Sequence, residues 1–456
     1  MRAHSTPMLI GITIPTGMRS DLGTSLPPGP NLPRPLLMAW FVFRPTQFLE
    51  RLHRRYGDPF TMRAISDRTI VFTTDPEEIK RIFTGDPNLL HAGEGNSVLA
   101  PLLGSYSVLL LDGAEHMRQR KLLLPPFHGE RMAAYAAVMR QAAEREVARW
   151  PVGEPFAVLP HTQAVTLEVI MRAVFGIEDS TRLDALRTAL RQVLDVATTR
   201  RRMLALALSM RGNGDRGAWA RFRAASAAAD EILYEEIRER RAAPPSGRDD
   251  VLSLLLEARH EDGSPMSDEE LRDELMTLLV AGHETTATAL AWALERLVRH
   301  PAVLDRLVEE IRTEGTEGEY LEAVIKETLR LRPVVPAVIR RLTGPMELGG
   351  YELPAGVFVS PSIYLTHRRP DVYPAPEAFR PERFLERPAG TYTWIPFGGG
   401  VRRCLGASFA LFEMKVVLAT VLEQVHLRTV KDSDEAITRR AITFAPRREG
   451  RIALAA

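Results

Sequence analysis

One stretch of the sequence, residues 271–299, constrains the fold most because it predicts a single long helix. A start signal precedes it, since Ser267 stands three residues before Glu270, which is the spacing of a capping box. At about 1.5 Å per residue, a helix of roughly 30 residues spans about 45 Å. Because its middle is largely apolar, we expect this helix to cross the interior of a large folded body.

The other elements predict a mainly helical protein with a small, mostly antiparallel sheet, an α+β fold. Apolar residues with helical spacing predict the larger elements, and short runs bounded by turn residues predict the strands. Further helices are predicted at residues 131–150, 219–241, 301–313 and 405–425. Strands are predicted at residues 69–73, 338–342, 346–348, 357–360, 442–444 and 451–454.

Composition excludes several classes of protein. The 59 basic and 58 acidic residues give a net charge of +1, without the basic excess of a nucleic-acid binder. No run of about 18 apolar residues occurs, so no membrane span is predicted. A single cysteine leaves no internal disulfide and no multi-cysteine metal site. We therefore expect a soluble, cytoplasmic protein, and a monomer.

The domain organisation is predicted to be simple. Residues 1–25 are expected to form a flexible leader, and the proline-rich residues 26–30 follow as a stiff tether. Length alone suggests about three domains, but no long linker interrupts the rest of the chain. Residues 26–456 are therefore predicted to form one domain.

The most specific local pattern is a glycine-rich loop that ends in the only cysteine. It runs Phe397-Gly-Gly-Gly-Val-Arg-Arg-Cys404-Leu-Gly406 and is followed by a predicted helix. Backbone N–H groups at a helix start and two neighbouring arginines are expected to stabilise a thiolate. Such a thiolate could ligate a haem iron. A buried structural cysteine and a nucleophile served by a distant histidine remain alternatives.

Four motifs in order resemble the cytochrome P450 monooxygenases. The pattern Phe397-x-x-Gly-x-Arg-x-Cys404-x-Gly resembles the haem-binding signature of that family, and Ala281-Gly-His-Glu-Thr-Thr286 resembles its oxygen-activation motif. Glu327-x-x-Arg330 and Pro381-Glu-Arg-Phe384 resemble two further family segments. The resemblance implies a triangular helical fold around a buried haem, from about residue 26 to the end of the chain.

The resemblance also implies a set of haem b contacts, with Cys404 as the iron ligand. His116, Arg120, Arg340 and Arg402 match positions that bind the haem propionates. Arg340 is preferred over its neighbour Arg341, which should point to the other face of the strand. The complete implied cofactor set is His116, Arg120, Ala281, Gly282, Arg340, Phe397, Gly398, Arg402, Cys404 and Gly406.

Two residues of the long helix are implied to be catalytic. Thr285 can hydrogen-bond the backbone four residues back and so loosen the helix, and Glu284 beside it is a candidate proton source. Gly282 is expected to leave room for dioxygen, the co-substrate. By resemblance, Glu327 and Arg330 should form a buried triad with Arg383, which locks the cysteine loop to the core.

Substrate and partners follow less directly. The pocket that the resemblance implies comprises Leu102, Leu103, Leu278, Ala281, Val335, Val338 and Phe444. Its apolar lining suggests a fatty acid, terpenoid or steroid as substrate. Only 52 residues follow Cys404 in the 456-residue sequence (456 − 404). Electrons are therefore expected from a separate ferredoxin, or a flavodoxin, with its reductase. A basic face that comprises Arg118, Arg120, Lys121, Arg402 and Arg403 is expected to dock that donor.

Three other readings remain open. A peroxide-driven oxygenase of the same fold would tend to lack the Glu284–Thr285 pair. A haem protein that only binds a ligand would not need that pair, and a haem-free helical scaffold would make the glycine loop accidental.

Overall fold

Helices form most of the chain in the computed structural model, which describes residues 26–64, 68–127, 131–176, 180–198, 217–243, 250–428 and 433–455. The predicted leader, residues 1–25, lies outside the described residues. In chain order the helices are α1 (Arg34–Phe43), α2 (Pro45–Tyr56), α3 (Pro76–Thr84), α4 (Ala100–Leu103), α5 (Gly113–Leu123), α6 (Arg131–Val147), α7 (Leu159–Phe175), α8 (Ser180–Thr198), α9 (Ala218–Ala242), α10 (Val251–Glu257), α11 (Asp268–Leu297), α12 (Pro301–Glu314), α13 (Glu319–Leu331), α14 (Ile363–Thr366), α15 (Arg383–Glu386) and α16 (Ala407–Gln424).

The strands are short and make small sheets. They are β1 (Phe60–Arg63), β2 (Thr69–Thr73), β3 (Leu90–His91), β4 (Phe156–Ala157), β5 (Arg340–Leu342), β6 (Met346–Leu348), β7 (Tyr351–Leu353), β8 (Phe358–Pro361), β9 (Leu427–Arg428), β10 (Ile437–Arg440), β11 (Thr443–Pro446) and β12 (Arg451–Leu454). The largest sheet has the order β1-β2-β8-β5-β3, in which β2 and β8 run parallel and the other neighbours run antiparallel. The predicted fold class is therefore confirmed.

The long helix α11 begins and ends within three residues of its predicted bounds. Both bonds of the capping box are present, since the Glu270 amide donates to Ser267 Oγ at 3.1 Å and the Ser267 amide donates to Glu270 Oε2 at 2.7 Å. Every side chain from 271 to 279 and from 286 to 297 is buried, as expected for a helix that crosses the core. The middle of the helix is more accessible: Ala281 is exposed, and Val280, Gly282, Glu284 and Thr285 are half-buried. Accessible residues in the middle of an otherwise enclosed helix must border an internal space.

Three hydrophobic cores surround this space. The largest packs around α6, α7, α11 and α16, and a second lies against the sheet that contains β5 and β8. A third joins α1 and α2 to β1 and includes Phe444, whose ring lies edge-on to Tyr364 at 5.8 Å.

Candidate active site

The cysteine loop is shaped by glycines that pack against α3. Gly398 and Gly400 have positive φ angles of 66° and 64°, which side-chain-bearing residues rarely adopt. A Cβ on Gly399 would lie 2.2 Å from the ring of Phe83, and one on Gly400 would lie 1.7 Å from the Phe83 carbonyl oxygen. These two glycines therefore let the loop approach Phe83.

Cys404 lies at the end of this loop, where its amide donates to the Phe397 carbonyl at 3.0 Å. Helix α16 begins at Ala407 with Gly406 as its N-cap, two residues later than predicted. Burial raises the pKa of the Cys404 thiol, and this outweighs the lowering effect of the Gly406 amide, Arg120 and Arg403. The Gly406 amide and Arg403 therefore act in the expected direction, and burial, which the sequence does not reveal, outweighs them.

The position of the Cys404 side chain indicates what it faces. The residue lies deep enough for burial to dominate its pKa, yet its side chain is exposed. A thiol that is both deep and accessible faces an internal space. Helix α11 also borders an internal space at its accessible middle.

A cluster of basic side chains lies near this thiol. Burial, together with Arg402, Arg120 and Arg340, lowers the pKa of His116 to about 3. Burial and Arg402 lower the pKa of Arg340 to about 10, and burial lowers that of Arg402 to about 10. The four positions predicted from sequence are therefore close enough to repel one another electrostatically.

These cations are neutralised unequally. Arg402 donates to Asp112 at 2.6 Å and to the carbonyl of Val108 at 3.2 Å. Among the described residues, no carboxylate lies within salt-bridge distance of Arg120, and Arg340 donates only to the neighbouring Ile339 carbonyl at 2.9 Å. By contrast, Arg341 pairs with Glu94 on the other side of the strand. The half-buried Arg120 and the buried Arg340, which have no carboxylate partner among the described residues, are suited to bind two carboxylates.

The middle of α11 carries the predicted catalytic pair. Thr285 Oγ1 donates to the Ala281 carbonyl at 2.7 Å, the bond expected four residues back. Glu284 accepts a hydrogen bond from Gln163 of α7 at 2.6 Å and lies 3.5 Å from Arg440 of β10. A Cβ on Gly282 would lie 3.1 Å from Ile170, so this glycine allows α7 to pack closely on α11. The structure thus gives Gly282 a reason other than making room for a ligand.

The predicted triad behind the cysteine loop is present and fully enclosed. Glu327 and Arg330 are both 0% exposed and joined at 2.6 and 2.9 Å, and Arg383 donates to Glu327 at 3.1 Å. Arg380 adds a backbone N–H to the same carboxylate at 2.8 Å. Such a satisfied buried network fixes the segment that leads to the loop.

Two residues that shape the site were missed by sequence reasoning. His367, 0% exposed, accepts from the Ile395 amide at 2.9 Å and lies 3.2 Å from the Arg330 carbonyl, so it joins the triad to the cysteine loop. Asp112 holds Arg402, although the Asp112-Gly113 pair was taken only as a helix break. No local spacing signals His367, because both of its partners are distant in sequence.

The predicted pocket residues divide into two groups. Leu102, Val335 and Val338 are half-buried, Leu278 is 9% exposed, and Ala281 is exposed. Leu103 and Phe444 are both 1% exposed and packed into separate hydrophobic cores. Their prediction as pocket walls is therefore corrected: they are fully occupied by core packing.

Together these residues fit a haem. An accessible deep thiol supplies a ligand that iron accepts, unpaired Arg120 and Arg340 suit two propionates, and the exposed segment of α11 borders an internal space. No helix of the described residues is long and apolar enough to cross a membrane.

Comparisons with known proteins agree with this geometry. Residues 27–449 match the family model described as cytochrome P450. A Mycobacterium tuberculosis protein named cytochrome P450 135B1 is 44% identical over 438 residues, covering 94% of this chain and 92% of that protein. Cytochrome P450 135A1 of the same species is 40% identical over 434 residues, covering 94% of this chain and 95% of that protein.

Solved structures give the same result. A retinoic-acid-bound cyanobacterial CYP120A1 superposes with a TM-score of 0.82 at 26% identity, covering 94% of this chain and 99% of that one. The haem domain of cytochrome P450DA superposes with a TM-score of 0.81 at 25% identity, covering 94% of this chain and 97% of that one.

Proposed function

The chain belongs to the cytochrome P450 family, and from this premise we propose that it is a haem-thiolate monooxygenase that oxidises an apolar small molecule. The observation that carries the proposal is the deep, accessible Cys404 thiol beside two uncompensated guanidiniums. The proposed reaction inserts one oxygen atom of O2 into a C–H or C=C bond.

The protein's own residues would divide the work of holding a haem b. When bound, the haem supplies the binding and reductive activation of dioxygen. Cys404 would ligate the iron, and Arg120, Arg340 and His116 would hold the propionates. Arg402 contributes less charge, because Asp112 already neutralises it.

Thr285 and Glu284 are proposed to move protons during oxygen activation. The Thr285 hydroxyl is half-accessible and is oriented by its bond to Ala281. Glu284 is held by Gln163 and Arg440, so a change in those contacts would be needed to turn the carboxylate toward Thr285. This arrangement favours a gated proton source over a permanently exposed one.

The proposed substrate is apolar, such as a fatty acid, terpenoid or steroid. Support comes from the half-buried Leu102, Val335 and Val338, which the resemblance assigns to the pocket. A structural neighbour holds retinoic acid, an apolar molecule with one carboxylate. A substrate of that class is therefore the first to test.

Electrons are proposed to come from a separate ferredoxin or flavodoxin with its reductase. Arg118 and Arg403 are exposed and supply the positive charge that would attract an acidic donor. Two other members of the predicted face contribute less, because Arg402 points inward to Asp112 and Lys121 pairs with Glu261 at 2.9 Å. A monomeric, cytoplasmic enzyme remains our proposal.

The test is the absorption spectrum of the reduced, carbon-monoxide-bound protein. Thiolate ligation gives a strongly red-shifted Soret band, which we expect in wild type and in Thr285→Ala but not in Cys404→Ser. Absence of the band from folded, haem-supplemented wild type would overturn the proposal. Turnover with redox partners, compared with turnover with hydrogen peroxide, then separates a monooxygenase from a peroxide-driven enzyme.

A further inference from the structure

Residues 104–112 form an irregular segment, here called the strap, that joins α4 to α5. Arg402 of the cysteine loop donates to the Val108 carbonyl at 3.2 Å, in the middle of the strap, and to Asp112 at its far end at 2.6 Å. Leu109, Leu110 and Leu111 between these points are half-buried. The strap therefore connects the cysteine loop with the part of the molecule that precedes the accessible middle of α11.

Three neighbouring side chains of α11 fasten the near end of the strap. Asp273 accepts the Tyr106 amide at 2.9 Å, Glu274 accepts the Val108 amide at 2.8 Å, and Thr277 donates to Ser107 Oγ at 2.7 Å. These contacts replace the backbone pairing that an irregular segment otherwise lacks.

At the start of the strap, the backbone lies too close to α11 for any residue other than glycine. Gly104 has a φ of +83°, and a Cβ there would lie 2.0 Å from Asp273 Oδ1. Asp273 is in turn paired with Arg272 at 2.8 Å, which also binds Asp230 of α9 at 2.5 Å. The Asp273 carboxylate is thus neutralised by the Arg272 guanidinium.

Glu274 has no such cation. It is 0% exposed, no described Lys, Arg or His lies within salt-bridge distance of its carboxylate, and the largest effects of charged groups on its pKa come from the acidic Asp273 and Glu270 of its own helix. The strap presents the amide of Val108 to it, and α5 presents the side-chain amide of Gln119. Gln119 does not complete a hydrogen bond, so Glu274 Oε2 and Gln119 Nε2 are buried without partners among the described residues.

A buried carboxyl without a cation is stable only when it is neutral. Burial accordingly raises the pKa of Glu274 to about 8. At neutral pH the residue therefore holds its proton and accepts the Val108 amide through an uncharged oxygen. Loss of the proton would place an unpaired charge next to two acidic neighbours.

We propose that Glu274, as a neutral carboxylic acid, is a positioning residue that holds the strap against α11 as one wall of the substrate space, and that ionisation of Glu274 releases this wall. The statement that this wall encloses a substrate rests on the proposed function. The fastening itself stands on the contacts between the strap and α11.

The first test measures hydrogen–deuterium exchange of the strap peptide in the full-length protein between pH 6.5 and 9.5, corrected for the intrinsic pH dependence of exchange. We expect wild-type protection to fall by up to about tenfold per pH unit between pH 6.5 and 8 and to level off above pH 8, because the released strap ionises Glu274 at lower pH than the fastened strap does. Glu274→Gln keeps a neutral acceptor of the same shape, so its protection should not change across this range. Glu274→Ala should lack protection at every pH.

Thr277→Val is the matched control, because it removes a neighbouring fastening bond that does not titrate. Its corrected protection at pH 6.5 should be lower than that of wild type by on the order of tenfold, and the pH-dependent step below pH 8 should remain. The proposal is overturned if Glu274→Gln retains the wild-type step, or if Glu274→Ala exchanges like wild type.

The second test uses 4-phenylimidazole, which binds haem iron, as a probe of access. If the strap is a wall, the association rate in wild type should rise on the order of tenfold between pH 6.5 and 8 and level off above pH 8, and Glu274→Gln should abolish that rise. Equal rates in all variants, with intact carbon-monoxide spectra, would overturn this wall assignment. Failure to bind haem at all would instead overturn the proposed function, which the exchange experiment does not require.

Discussion

The Asp112 carboxylate accepts a hydrogen bond from the Arg402 guanidinium at 2.6 Å and so ties the start of α5 to the loop that carries Cys404. The same carboxylate accepts the amides of Gly93 and Glu94 at 2.8 and 3.0 Å. Three distant segments therefore meet at one side chain. A Cβ on Gly93 would lie 2.8 Å from this carboxylate, so only glycine allows the contact.

Replacement of Asp112 by Asn should therefore loosen the cysteine loop. The pair is mostly buried, with side chains 14% and 11% exposed, and removal of one charge leaves Arg402 uncompensated. We expect the free energy of unfolding to fall by about 2 kcal/mol and haem to transfer faster to apomyoglobin. Glu77→Gln, which breaks an exposed pair with Lys80, is the control and should cost less than about 0.5 kcal/mol. Equal unfolding curves for the two variants would contradict this role.

Replacement of Glu327 by Gln should be far more damaging. Both Arg330 and Arg383 depend on this carboxylate, and Glu327 and Arg330 are fully buried. Removing the charge strands two guanidiniums, at a cost of about 3–5 kcal/mol. The variant should unfold at lower urea concentration and lose the red-shifted carbon-monoxide band. Glu322→Gln, whose partners Lys326 and Lys415 lie nearer the surface, should keep both properties.

Local patterns predicted much of this molecule, and the exceptions have a common physical cause. The capping box at Ser267 gave the start of α11, because helix caps depend on residues a few positions apart. The Glu327–Arg330 spacing predicted a pair on one helix face, and the family resemblance implied that the pair is buried. Phe444 was assigned to the pocket by the same resemblance, whereas its side chain packs into the core of α1 and α2. His367, Asp112 and Glu274 act on partners far along the chain, which no single-sequence spacing reveals.

The tautomer of His367 predicts an acid-sensitive anchor. Nε2 accepts the Ile395 amide, so the proton resides on Nδ1, next to the Arg330 carbonyl. Burial, Arg330 and Arg368 lower the pKa of His367 to about 3 from an ordinary value of 6.5. Below pH 6.5 the unfolded chain therefore binds a proton at this histidine that the folded chain does not bind. The free energy of unfolding falls as pH drops toward 3.

One such histidine contributes a slope of about 1.4 kcal/mol per pH unit within this window. His116 and His283, which are also buried with pKa values of about 3, add to the wild-type slope. His367→Gln should lower the slope of unfolding free energy between pH 6 and pH 5 by about 1.4 kcal/mol per unit, as measured by urea titration. An unchanged slope would show that His367 is not the buried neutral group described.

Release of Glu284 from Gln163 and Arg440 should alter proton delivery. Glu284→Gln should lower turnover by about 10²-fold while leaving the binding of a substrate found by spectral screening unchanged. Gln163→Leu and Arg440→Gln remove one holding contact each and should change the fraction of reducing equivalents that reaches product. Measurement of product formed per NAD(P)H consumed separates these effects from a loss of binding. If all NAD(P)H consumed led to product in all three variants, Glu284 would not belong to the catalytic pair.

Charge reversal at Arg118 and Arg403 should slow electron transfer without disturbing the fold. Both side chains are exposed. Arg403 also lowers the pKa of the Cys404 thiol, so the carbon-monoxide spectrum of the double variant is compared with that of wild type before the rates are compared. Arg118→Glu with Arg403→Glu should lower the rate of reduction by an acidic ferredoxin about tenfold or more at low ionic strength, because steering accelerates association by 10-fold to 10³-fold. The rate of the double variant should also depend less steeply on salt. Arg54→Glu together with Arg55→Glu, on α2, changes net charge by the same amount and should leave the rate as in wild type. If both double variants are reduced by the ferredoxin equally fast at every salt concentration, the donor does not dock through Arg118 and Arg403.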